Sequence, residues 1–130
     1  MIVIDLPFRP SVNTYWRHPN KGPLAGRTLI SEDGRKYRTA VQHAVVLQRV
    51  RGVGAARVAV SVEVFPPDRR KRDLDNLTKG LFDALSHAGV WIDDEQIDDF
   101  RVFRSARGGG RVIVKIDVLP VAQQPLAEFA

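Results

Sequence analysis

The sequence contains no cysteine. Disulfides, thiolate zinc sites and cysteine nucleophiles are therefore excluded, and the absence suits a reducing cytosol. No apolar run is long enough to span a bilayer. The opening MIVIDLPFRP has neither a basic leading segment nor a long apolar core, so no secretory signal is expected. Histidine is scarce, and His18, His43 and His87 share no metal-ligand spacing. There is no internal repeat. These absences predict one domain over residues 1–130, cytoplasmic, with no membrane partner.

What is present is globular: 44% hydrophobic residues and 27% charged. The net charge of +5 favours a polyanionic partner, nucleic acid first.

Ile2, Ile4 and Leu6 alternate with Val3 and Asp5 as in a strand, which Pro7 and Pro10 end. Residues 9–27 read as a long loop. Ser31 is a candidate N-cap with Glu32 and Asp33 behind it. Tyr37, Val41, Ala44 and Val45 follow at helical spacing, and Gly52 and Gly54 are expected to close that helix. Val58, Val60, Val62 and Val64 alternate strictly, a strong strand signal stopped by Pro66 and Pro67. Leu74, Leu77, Leu81, Leu85 and Ala88 mark a second helix with Gly89 as its stop. Two strands complete the pattern, residues 97–104 and 112–118, joined through SARGGG as a hairpin. Phe82, Trp91, Phe100 and Phe103 are assigned to the core, and residues 120–130 to a frayed, flexible tail. The economical fold is α+β: a small mixed or antiparallel sheet with two main helices packed on one face.

The chemistry concentrates in RRKRDLDNLTKGLFDALSHAGVWIDDEQ, residues 69–96. Four cations, Arg69, Arg70, Lys71 and Arg72, run into Asp73 and Asp75, and a second acidic knot of Asp93, Asp94 and Glu95 follows the helix. Hard divalent cations take oxygen ligands, and Asp73, Asp75 and Asp94 could supply them. Residues two apart point the same way only in extended chain, so a shared metal requires the helix to start at Leu74 or Asp75. Asp94 can return to that site only if the strand near Ile97 runs back along the helix or the sheet bends the turn at residues 91–95 toward it. Lys79 stands one turn beyond Asp75 and could stabilise charge on a phosphoryl group. The cation run would hold neighbouring phosphates without reading sequence. The blander account gives Asp73 a capping role, Asp75 and Lys79 a surface ion pair, and the knot a solvated turn. Near the N-terminus, Tyr15, Trp16, Arg17 and His18 either stack on unpaired bases or pin the long loop.

The pattern DLDN…K…FDAL…AG.W.DD, within residues 68–104, together with PSVNTYWRH at residues 10–18, resembles the RusA-type Holliday junction resolvases. The resemblance implies a RusA-like fold and a homodimeric, Mg²⁺-dependent endonuclease, with Mn²⁺ as a substitute. Its implied substrate is four-way junction DNA, resolved by paired nicks in recombination and repair, from a host or a phage gene. It implies that Asp73, Asp75 and Asp94 bind the metal and act in catalysis with Lys79. Arg69, Arg70, Lys71, Arg72 and Lys79, together with Asn13, Tyr15 and Arg17, are the implied DNA contacts. Asp93 is the less expected ligand of its pair, and Asn76 is given a helix-start role. The segment NKGPLAG, residues 20–26, is longer than the family's loop. Two other classes compete: a non-catalytic junction-binding protein, and a small-molecule phosphohydrolase, which the cation run disfavours.

Overall fold

The structure, a computed structural model, describes residues 1–8, 15–106 and 109–120. Asn13, Gly108 and residues 121–130 of the expected tail lie outside the described residues.

Four strands form the main sheet: β1 (Ile2–Pro7), β4 (Val58–Phe65), β5 (Ile97–Arg104) and β6 (Arg111–Val118), in the order β1-β6-β4-β5. β6 is antiparallel to both neighbours, whereas β4 and β5 are parallel, so the sheet is mixed. A short strand β2 (Trp16–Arg17), in the segment read as loop, pairs antiparallel with β3 (Leu29–Ile30) just beyond it. The two long helices are α1 (Glu32–Leu47) and α2 (Asp75–His87).

Side chains alternate across a strand, and the register aligns the apolar ones. Ile4, Val114, Val62 and Val102 form one row across the four strands. In β4 every valine is buried and every intervening residue only partly so. One sheet face is thus buried, and Tyr37, Val41 and Val45 of α1 and Leu77, Leu81 and Leu85 of α2 join its core. Each such burial contributes about 1.5–3 kcal/mol.

Four expectations need correction. SARGGG does not close a hairpin, because β4 lies between β5 and β6. Parallel strands need a crossover, and α2 supplies it between β4 and β5; β6 then takes the free side of β4. Gly52 and Gly54 do not end α1. Arg49 does, at φ 55°, with Val50 N–H donating to the Val45 carbonyl at 3.0 Å and Arg49 N–H to that of Val46 at 3.1 Å. Phe100 faces the helix side but is 56% exposed, because β5 is an edge strand; the Phe82 ring packs edge-on to it at 5.9 Å. Phe103, also expected in the core, pairs with Glu63 on the opposite sheet face and lies beneath the Arg101 guanidinium at 4.4 Å, whereas Phe82 and Trp91 are core as expected.

Candidate active site

Asp73 lies just before α2 and Asp75 is its first residue. Leu74 occupies the cap position with no side-chain capping bond, so Asp73 does not cap the helix. Both carboxylates are exposed and line one cleft with Lys71, Arg72 and Arg104. Arg104 comes from the end of β5 and donates to the Arg72 carbonyl. The strand does run back along the helix, but it returns Arg104 to Asp73 and leaves Asp94 at its far end.

The cation run is unequal. Asp68 accepts two bonds from Arg72, at 2.6 and 3.0 Å, and one from the Arg70 N–H at 2.9 Å. These bonds hold the Asp68 carboxyl down at about 2. Arg72 also lies over the Phe8 ring, 5.2 Å from its centre. Arg69, Arg70 and Lys71 are exposed and present their charge outward.

Lys79 and Asp94 open onto a second cleft, of about 400 Å³, shared with Trp16, Asp83, His87 and Asp93. The Lys79 ammonium sits 5.8 Å from the centre of the Trp16 ring. The three acids after α2 have separate tasks. Asp93 caps the short turn Asp94–Gln96, accepting from the Glu95 N–H at 3.2 Å. Glu95 pairs with Arg57 at 2.9 Å. Asp94 has no cationic partner among the described residues. Burial first, then its hydrogen bond with Asp93 and the charges of Asp93 and Asp83, push its carboxyl up.

Gln96 holds this turn in place and was not singled out from sequence. Buried to 5% exposure, its amide donates to the carbonyls of Gly54 (2.7 Å) and Ala56 (2.8 Å). Its oxygen accepts from the N–H groups of Ile92 (2.8 Å) and Asp93 (2.9 Å). Both donors and both lone pairs are thereby used. An uncharged amide buried between acids is the one signal that could have found it.

Tyr15 corrects the sequence reading. It is fully buried, so it cannot stack on a base, and the loop-pinning account holds. Its hydroxyl donates to Asp83 Oδ2, which also accepts from Arg38 at 2.7 and 3.0 Å. Burial first, then the Asp83 carboxylate, raises the phenol's pKa. The Tyr15 carbonyl accepts from Ser31 N–H (2.9 Å) and Oγ (2.8 Å), beside Gly34. Trp16 packs edge-on to it at 4.8 Å and forms part of the Lys79 cleft. Arg17 is exposed on β2.

Exposed aspartates are the hard oxygen donors that Mg²⁺ or Mn²⁺ accepts, and Mg²⁺ needs only one or two carboxylates beside water and phosphate. Asp73 and Asp75 fit as one such pair and Asp94 as a further donor. Among the described residues, however, no three acidic or histidine side chains are grouped as a metal cage. The expected convergence of Asp73, Asp75 and Asp94 is not formed within the chain.

Residues 7–117 match the family model described as Endodeoxyribonuclease RusA, so the class is that of DNA-cleaving enzymes. The chain belongs to the RusA family. It is 44% identical over 115 residues to the crossover junction endodeoxyribonuclease RusA of Enterobacteria phage HK97, covering 88% of this chain and 92% of that one. To the protein of the same name from Escherichia coli strain K12 it is 43% identical over 115 residues, covering 87% and 91%. The relatives thus come from phage and bacteria, and no described helix is long and apolar enough to cross a membrane.

Proposed function

We propose that the protein is a homodimeric, Mg²⁺-dependent endonuclease that nicks four-way DNA junctions in the cytoplasm during recombination and repair, with Mn²⁺ able to substitute. The match of residues 7–117 carries this reading. The arrangement around α2 supports it: carboxylates and an ammonium line clefts beside a cationic segment.

In hydrolysis a water oxygen adds to phosphorus, a phosphorus–oxygen ester bond breaks, and the leaving sugar oxygen takes up a proton. Asp73, Asp75 and Asp94 would hold the cation, which when bound polarises the phosphate and makes water more acidic. The Lys79 ammonium stabilises charge gathering on the phosphoryl oxygens, with the Trp16 face limiting where it can sit. Arg69, Arg70 and Lys71 take flanking phosphates, which grips DNA irrespective of sequence. Arg72, already oriented by Asp68, adds a fixed guanidinium at the cleft mouth.

The test is Asp75→Asn on a four-way junction and a linear duplex, with and without Mg²⁺. Junction binding should stay within about twofold of wild type while cleavage falls at least ~100-fold. Undiminished cleavage by this variant refutes the assignment of Asp75, and a wild type that never cuts junctions refutes the function.

A further inference from the structure

On a helix, side chains four residues apart are neighbours, and opposite charges at that spacing pair. Lys79 has an aspartate on each side at that distance, Asp75 one turn before and Asp83 one turn after. Asp75 opens onto a different cleft. Asp83 lines the same cleft as Lys79, so it is the acid placed to take the ammonium. Yet Lys79 makes no ion pair among the described residues, and its ammonium rests 5.8 Å from the centre of the Trp16 ring. The reason lies outside α2. Oδ2 of Asp83 accepts from Arg38 Nη2 at 2.7 Å, from Arg38 Nε at 3.0 Å and from the Tyr15 hydroxyl. Its other oxygen is 3.9 Å from His87 Nε2. Arg38 belongs to α1 and Tyr15 to the segment before it, so other elements claim a carboxylate that α2 itself would offer to Lys79. The arrangement is packed: the Arg38 and Asp83 side chains are each 24% exposed, and Tyr15 is fully buried. Two guanidinium N–H groups on one carboxylate hold it more firmly than a single mobile ammonium does.

We infer that Arg38 is a positioning residue for strand cleavage: by holding and neutralising Asp83 it keeps the Lys79 ammonium free for a phosphate. This deepens the endonuclease reading above and rests on the role given there to Lys79. Arg38 touches no substrate; it acts by withholding a carboxylate. Without it, Asp83 keeps the Tyr15 bond, but a neutral phenol does not cancel its charge. That charge then draws the ammonium one turn along α2. A phosphoryl oxygen arriving with DNA must compete against a carboxylate tethered four residues away, which is present at high effective concentration.

The experiment compares wild type, Arg38→Met and the double variant Arg38→Met/Asp83→Asn, with two readouts on each. One is the rate at which N-hydroxysuccinimidyl acetate acetylates Lys79 in the absence of DNA, followed by peptide mass spectrometry. The other is kcat and KM for nicking a four-way junction. An ammonium held by a carboxylate gives up its proton less readily and is acylated more slowly. If the released Asp83 holds the ammonium about nine-tenths of the time, labelling and kcat both fall about tenfold in Arg38→Met, with KM within about twofold of wild type. The double variant has no carboxylate left at position 83 and should bring both back to within about twofold of wild type. A merely structural Arg38 predicts the opposite, because removing Asp83 as well only loosens the α1–α2 contact further. Wild-type labelling of Lys79 in Arg38→Met, or a double variant as slow as the single one, overturns the inference and leaves the endonuclease reading intact. Labelling that falls and recovers while kcat stays at the wild-type value supports the withholding of Asp83 and removes Lys79 from the reaction. If circular dichroism shows Arg38→Met unfolded, Arg38→Gln, which keeps N–H donors and loses the charge, takes its place in both proteins and is read the same way.

Discussion

At the scale of single residues, Tyr15 ties its segment to both long helices. It is held by Asp83 of α2, Arg38 of α1 and Ser31 at the α1 cap, while its ring rests on Gly80 and its carbonyl on Gly34. A side chain at Gly34 would put a carbon 2.4 Å from that carbonyl, which explains why this helix position has none. Tyr15→Phe removes the bond to Asp83 and leaves the Asp83–Arg38 pair. It should lower stability by about 1–2 kcal/mol in urea unfolding. Asp83→Ala should cost more, because Arg38 then loses its partner as well. Of this cluster, the sequence showed only an aspartate four residues after Lys79 and an aromatic in a loop. Arg38, forty-five positions before Asp83, gave no sign of the pairing.

At the scale of elements, local signals read well and partner choice did not. The Ser31 cap is as expected, its hydroxyl accepting from the Gly34 N–H at 2.9 Å. Gly89 ends α2 at φ 80°, as its lack of a side chain suggests. The same motif ends α1 with Arg49, and a rule that looks for glycine misses it. Arg49→Gly relieves a left-handed backbone and should raise the melting temperature, by an amount equivalent to about 1 kcal/mol, in a thermal scan. The strands with the cleanest alternation, β4 and β6, are the central pair, and the irregular β5 is an edge. Alternation reports burial of a face, which is local. Which strand sits beside which depends on crossovers the sequence does not spell out, so β5 and β6 were wrongly joined.

At the scale of the whole molecule, the residue types of the candidate site were legible and their distances were not. Asp73, Asp75, Lys79 and Asp94 can be picked out because carboxylates and cations stand apart in an apolar pattern. The order β1-β6-β4-β5, which sends Asp94 to the opposite end of β4 from Asp73, could not be. The same order governs how the chain acquires its shape. β6 fills the gap between β1 and β4, so the sheet stays in two pieces until residues 111–118 are available. A nascent chain stalled with residue 110 at the tunnel exit should be digested by protease far faster than the released protein, in a pulse-proteolysis assay. During synthesis β1 must therefore wait, unpaired, for β6 to emerge from the ribosome.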